Sequence, residues 1–509
     1  MKMIKTIIVG CLLAVCIPLS GLAQVGPATV AQIGTPDRVE TRLGTLKFFD
    51  GLPDKATVAK LYDNLDFMHG VEVFLDLMPG ASVYAFRQGC RELGIGNSTL
   101  VTSTKVMDSK HLGLTPNTET VYAFVVIDLK NGPVVVDLPP HTLGMVNDAW
   151  QRHVADVGNA GPDRGQGGKY LFLPPGYKEE APQGYFVFRS PTYANILLVR
   201  GFLVNGDAKP AVENFKRLHL YPLAQAANPP EQKIYDLSDD VHKDDVNKTV
   251  FASDFMFFEQ VNQVVQEEPT EALDPELGGL LASIGIVKGK PFAPDARMKK
   301  LLTEAAAVGS ATARSMVFAT RYKEAYYYPN SGWKEMLAGG SCEFLKDGYR
   351  NLEARSAFHF YALFLSPALV FKRAGLGSQY AYTEHDAAGN YLDGGKTYRL
   401  HLPPNIPVKD FWSIIVYDSQ TRSLLQTDNP IPSINSYKKD LANNADGSID
   451  LYFGPKPPAG PSTSLGTGHE SNWIQTVSGK SWNTMLRLYG PLQPWFDKTW
   501  RPGEIELVK

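Results

Sequence analysis

Residues 391–428 constrain the fold of this chain more than any other stretch. They read YLDGGKTYRLHLPPNIPVKDFWSIIVYDSQTRSLLQTD. Thr397, Arg399 and His401 alternate with Tyr398, Leu400 and Leu402, the period-two pattern of a half-buried strand. Pro403, Pro404 and Pro407 cannot donate to a sheet ladder, so pairing stops there. A second strand, FWSIIVY, begins at Phe411 and is rich in β-branched and aromatic residues. Asp418, Ser419, Gln420 and Arg422 leave it as a polar tail. A weaker copy lies far upstream. VVVDLPP at 134–140 parallels YRLHLPP at 398–404, and Asn147-Asp148-Ala149-Trp150 echoes Asp410-Phe411-Trp412. The echo hints at two similar β modules in one chain.

The rest of the pattern supports that division. At 509 residues the chain is too long for one core; about 100–200 residues per domain implies roughly two to four. A segment at 24–53 shows no period and reads as an extended arm. From Asp54 the apolar positions Val58, Leu61, Leu65, Met68, Val71 and Leu75 step by three and four, a helix that Pro79-Gly80 should end. A second helix then covers 81–93. Residues 113–204 are short apolar runs separated by turns, a sandwich pattern. The period becomes helical from 210 to about 371, then returns to strands. The expected class is α+β, with two jelly-roll-like β-sandwich modules and intervening helices. The expected domains are a signal peptide at 1–23, the arm at 24–53, a first module at 54–209, a helical segment at 210–372 and a second module at 373–509.

The first residues point to export. Lys2 and Lys5 precede an apolar run at 7–19, and Gly21-Leu22-Ala23 is a small-x-small cleavage site that leaves Gln24 first. The run is shorter than the ~20 residues a bilayer span needs. The mature chain is expected to be soluble, without a membrane span, and periplasmic or secreted. Cys11 and Cys16 leave with the signal, while Cys90 and Cys342 remain. Export permits a disulfide between them, but Cys90 lies on an apolar helical face where free thiols are common; the pairing stays open. A net charge of −3 excludes a general affinity for nucleic acid.

At several of these places the chain resembles a bacterial family of unassigned function, the DUF1254 domain followed by the DUF1214 domain. Thr115-Pro116-Asn117, then Thr118-Glu119, Thr120 and Tyr122, resembles the first domain's TPN signature. Gly132-Pro133-Val134-Val135 with Leu138-Pro139 resembles one of its strands. Asn390-Tyr391-Leu392, Phe411-Trp412-Ser413, Val416-Tyr417-Asp418, Asp446-Gly447-Ser448, Asn472-Trp473 and the run from Leu486 to Pro491 resemble the second. The resemblance implies sandwich modules joined by helices, and often homo-oligomers. It implies no activity and supplies no catalytic residues.

Chemistry must therefore be read from side chains. The 10 histidines show no H-x-H or H-E-x-x-H spacing and there is no C-x-x-C, so no metal or cofactor is expected. Gly168-Lys169 is followed by Tyr170 and a strand, which fails the P-loop pattern. Paired carboxylates are the remaining enzyme idea. Asp148, Asp418 and Glu119 sit near strand ends and are candidate catalytic groups for acid/base work on a glycosidic bond. Asn117, Tyr122, Trp150, Arg152, Tyr417, Arg422, Trp473 and Arg487 are candidate substrate-binding residues, the arginines for an anionic group and the aromatics for stacking. The plainer reading makes these carboxylates turn residues or structural ion pairs. The functional expectation is an enzyme for a polar, carbohydrate-like substrate. Its alternative is a non-catalytic ligand-binding or assembly protein of the cell envelope, with a small molecule or glycan as partner.

Overall fold

The computed structural model describes residues 27–204, 207–239, 249–458 and 469–508. The expected signal peptide and its cleavage site at Ala23 lie outside the described residues. The described residues form two compact units, divided between Leu65 and Asp66.

In the first unit, α1 (Pro27–Ile33) precedes a three-stranded antiparallel sheet of β1 (Arg38–Thr41), β2 (Gly44–Phe49) and β3 (Leu52–Pro53). This replaces the expected extended arm. Gly44 and Gly51, at φ +85° and +83°, supply the left-handed turns that fold the strands back. Of these strands' side chains only Leu46 is buried, so no apolar alternation announces them. Asp54 then accepts the Thr57 amide at 2.7 Å and starts α2 (Lys55–Glu92).

In the second unit, one sandwich contains β4 (Leu100–Thr102), β5 (Val121–Asp128), β6 (Val134–Leu138), β7 (Leu143–Asp148) and β8 (His153–Gly158). It continues through β9 (Gly168–Leu173), β10 (Phe186–Arg189), β11 (Ala194–Gly201), α3 (Lys209–Phe215), β12 (His219–Pro222) and β13 (Ile234–Asp236). The last two strands carry this module past residue 209. Helices α4 (Met256–Glu267), α5 (Pro275–Ser283) and α6 (Ala296–Phe318) follow. Then come β14 (Lys334–Glu335), the hairpin β15 (Leu345–Lys346) and β16 (Tyr349–Arg350), and α7 (Leu352–Tyr361). The other sandwich is β17 (Ser378–Thr383), β18 (Tyr398–Leu402), β19 (Val408–Asp418), β20 (Ser433–Asn435), β21 (Ile449–Gly454), β22 (Trp473–Gln475), β23 (Trp482–Pro491), α8 (Gln493–Phe496) and β24 (Ile505–Leu507). Its sheet includes β14, which precedes residue 373.

The two sandwiches repeat strand for strand. The first packs a sheet ordered β4-β5-β11-β7-β8 on one ordered β10-β9-β6-β12; the second packs β14-β17-β23-β19-β20 on β22-β21-β18-β24. The matching parallel pairs are β9 with β10 and β21 with β22, and the other neighbours in these two orders are antiparallel. The first adds only β13, parallel to β4. The echo VVVDLPP/YRLHLPP falls on equivalent strands, β6 and β18. The second echo does not. Asp148 ends β7, and its counterpart is Asp418 at the end of β19, not Asp410 near its start.

Both faces of the larger sheets are covered, which explains their near-continuous apolar runs. On β5, Val121, Ala123, Val125 and Ile127 enter the sandwich core, while Phe124 packs with Phe86 of α2 on the opposite face. In the second module Tyr380, Tyr382, Ile415 and Met485 meet the helical core of α2, α4, α6 and α7.

Helix α2 departs from expectation: Pro79 does not end it. Proline removes the donor that would reach the Leu75 carbonyl. Ser356 Oγ of α7 donates to that carbonyl instead, at 3.2 Å. Gly80 is required because the Trp150 ring lies on it; a Cβ there would sit 2.3 Å from the ring. Cys90 and Cys342 are both free thiols.

Candidate functional site: a cavity between the modules

The TPN stretch clasps the two sandwiches together. Thr115, at φ +42°, donates its amide to the Arg422 carbonyl at 2.8 Å. The Thr115 carbonyl accepts from Arg487 Nη2 at 2.9 Å, and that of Pro116 from the Tyr417 hydroxyl at 2.9 Å. Asn117 Nδ2 donates to Tyr489 OH at 2.8 Å and to Tyr122 OH at 3.1 Å. A proline and a left-handed residue hold the backbone open here, so its polar groups turn outward onto the second module.

Behind this clasp lies a cavity of about 170 Å³. Its walls are mostly apolar: Phe86, Phe124, Met145, Leu198, Phe358 and Phe364. Its polar lining includes Asn117, Tyr122, Arg200, Tyr380 and Arg487. Tyr122 is held below the usual phenol pKa. Burial opposes ionisation, but the Arg200 and Arg487 guanidiniums and the bonds from Thr120 and Asn117 outweigh it. Tyr417 goes the other way, pushed up by burial to about 12.

Of the sequence candidates, the structure brings Asn117, Tyr122, Tyr417 and Arg487 together. Asn117, Tyr122 and Arg487 line the cavity, and the Tyr417 hydroxyl accepts from Arg487 Nη2 at 2.6 Å. Arg422 is 3 % exposed and stacks on Phe360, 4.0 Å from its centroid. Burial, then Arg314, lowers its pKa to about 9.

The three carboxylates occupy separate settings. Asp148 is fully buried, accepts the amides of Trp150 and Arg152 at 2.8 and 2.9 Å, and pairs with Arg152 Nε at 2.6 Å. Burial raises its pKa against the pull of Arg152. Asp418 accepts the Gln420 amide at 2.8 Å and pairs with Lys480 at 2.7 Å. Both perform the same turn-closing task at equivalent strand ends, and neither lines the cavity. Glu119 accepts from Thr118 and Asn435 and borders a separate polar groove with Lys105, Lys209 and Lys438. Burial raises its pKa. Trp150 covers Gly80, and Trp473 donates Nε1 to the Gly454 carbonyl at 3.0 Å, away from the cavity. Trp482 is a core residue of the second sandwich.

Sequence reasoning missed Arg200, Tyr380 and Tyr489. The usable signal was Arg200 itself, a lone charge in the apolar strand ANILLVRG. Among the described residues no group of three or more His, Cys, Asp or Glu is placed to hold a metal.

Comparison with known proteins agrees with this division. Residues 97–222 match the model of DUF1254 and residues 377–493 that of DUF1214, both described as protein of unknown function. Each match falls on one sandwich. The crystal structure of the VPA0106 protein from Vibrio parahaemolyticus is similar at a TM-score of 0.51 and 19% identity, over 86% of this chain and 100% of that one; it shows the shared fold. An uncharacterised protein from Burkholderia cenocepacia aligns at a TM-score of 0.39 and 13% identity, over 89% of this chain and 97% of its own, too distant to argue from. No curated protein matches. The chain thus carries, in this order, a segment that matches the DUF1254 model and a segment that matches the DUF1214 model, neither with an assigned function.

Proposed function

We propose that this chain is an exported binding protein for a small, largely apolar molecule, held in the cavity between its two sandwiches. The observation that carries the reading is the lining: a largely apolar space at a module interface with a few polar groups converging on it. A cavity of about 150 Å³ lined by Leu, Ile and Phe accommodates benzene, so 170 Å³ suits an aromatic ring or a short acyl chain. The binding reading is favoured over a carboxylate pair because Asp148 and Asp418 are occupied by turn amides and cations.

Leu198→Trp, which projects an indole into this space, tests it. Thermal-shift and calorimetric screens of small aromatic and acyl compounds should find binders to the wild type that the variant no longer takes. Binding undiminished in a folded variant would place the ligand elsewhere, and no binder in such a screen would remove the reading.

The enzyme reading survives only around Glu119, a buried carboxyl of raised pKa beside a polar groove. Glycan turnover abolished by Glu119→Gln would support it. Export rests on the basic, apolar and small-residue pattern of residues 1–23; a mature N-terminus at Gln24 by protein sequencing tests it. The homo-oligomer stays part of the proposal. Exposed Phe49 and Leu52 supply apolar surface for it, and light scattering decides it. No helix among the described residues is long and apolar enough to cross a membrane.

A further inference from the structure

The cavity's two arginines are equivalent in the repeat. With Asp148 placed on Asp418, Arg200 falls on Arg487: Arg200 lies opposite Leu143, and Arg487 opposite Ser413. On the other flank Arg200 pairs with Tyr122, and Arg487 with Tyr380. Each sandwich therefore contributes one cross-strand Arg–Tyr pair to the same cavity.

Neither guanidinium has a carboxylate at ion-pair distance among the described residues. Arg200 Nη1 donates to Ser378 Oγ at 3.3 Å; Arg487 Nη2 donates to Thr115 O and Tyr417 OH. The Nε of each is buried with no hydrogen-bond partner. Arg487 is 5 % exposed. Glu119, which Arg487 reaches electrostatically, is hydrogen-bonded to Thr118 and Asn435. What surrounds the arginines is phenol: Arg200 lies 5.6 and 5.4 Å from the centroids of Tyr122 and Tyr489, and Arg487 lies 5.3 Å from that of Tyr380. Phenol faces and hydroxyls solvate a guanidinium but do not cancel its charge. Two cations without a paired carboxylate at one apolar cavity are costly unless an anion enters. The depressed pKa of Tyr122 registers the same surplus of positive charge.

We infer that the ligand is a small monocarboxylic acid, its carboxylate held between Arg200 and Arg487 and its aromatic or short acyl body in the apolar part of the cavity. A planar carboxylate accepts the guanidinium fork well. This inference rests on the cavity reading above and adds the head group to it.

Matched acids and alcohols separate the two claims. Benzoate with benzyl alcohol, and hexanoate with hexanol, are titrated calorimetrically into the full chain, the wild type and Arg200→Gln. Each acid should bind the wild type at least about 10-fold more tightly than its alcohol. Arg200→Gln should weaken acid binding about 10-fold and so erase that preference. Equal affinity of acid and alcohol for the wild type would overturn the carboxylate clamp and leave the cavity reading standing. Binding of neither would overturn both. The wild-type preference decides the matter even if the variant does not fold. An Arg200→Gln protein that folds and keeps the preference would also overturn the clamp.

Discussion

At the residue scale, the chain places several titratable groups where water cannot reach them, and each makes stability depend on pH. His359 of α7 is the clearest. It is 4 % exposed, lies against Phe344 and Phe358 and has no partner at Nδ1. Burial, reinforced by Arg355, lowers its pKa from 6.5 to about 3. The unfolded chain therefore binds more protons than the folded one between those values. Stability contributed by the neutral ring is present above pH 6.5 and is lost as pH falls towards 3. Acidification from pH 7 to 5 should cost about 2 kcal/mol through this residue. His359→Phe should remove that part of the loss, read as a smaller shift in the urea midpoint between the two pH values. An unchanged shift would assign the acid sensitivity to other groups. Nothing in the sequence singles out His359, because burial is a property of the packed helix and not of its neighbours in the chain. Arg200 differs. A charge inside ANILLVRG signals a buried cation, although not its partners across the cavity.

At the scale of elements, α2 shows how tertiary contacts override a local stop signal. Pro79-Gly80 reads as a helix end, yet the helix runs through it because Ser356 serves the orphaned Leu75 carbonyl and Trp150 packs on Gly80. Both contacts come from residues far along the chain, which is why they were not legible. The start of the same helix was legible: its apolar period opens from Asp54, and Asp54 accepts the Thr57 amide at 2.7 Å. The Trp150 contact yields a prediction of sign. In an exposed helix, Gly to Ala stabilises by about 1 kcal/mol. Here Gly80→Ala should destabilise by about 1–3 kcal/mol, the usual cost of overpacking, since the ring is held in place. In a Trp150→Ala background the same change should become stabilising. Urea unfolding of the four proteins, at constant slope, measures both values; a Gly80→Ala effect that is stabilising in both backgrounds would mean that the ring yields.

At the scale of the whole second unit, the repeat decides how the cavity is built. The matching strands β6 and β18 were visible as VVVDLPP and YRLHLPP, because a strand that runs into two prolines is a local pattern. The equivalence of Arg200 with Arg487 was not visible, because it depends on sheet register and not on sequence spacing. Two sandwich cores that are separate clusters must still be held at a fixed distance for one cavity to exist between them. The TPN clasp does this, and Asn117 is its centre: it reaches Tyr489 of the second module while its Oδ1 accepts the Glu119 amide of its own loop at 2.9 Å. Asn117→Ala should destabilise by about 1–3 kcal/mol, since buried polar groups lose their partners. That cost alone would not distinguish a clasp from an ordinary loop contact, so the decisive quantity is the coupling. A double-mutant cycle of Asn117→Ala with Tyr489→Phe should give an interaction energy of about 0.5 kcal/mol or more, because the two side chains meet across the module boundary. A cycle of Asn117→Ala with Ser356→Ala, a pair that shares no partner, should give about zero. If the Asn117–Tyr489 cycle also closes to zero, the loop does not carry the attachment, and the space between the sandwiches must be set by the helices α2 and α7 instead.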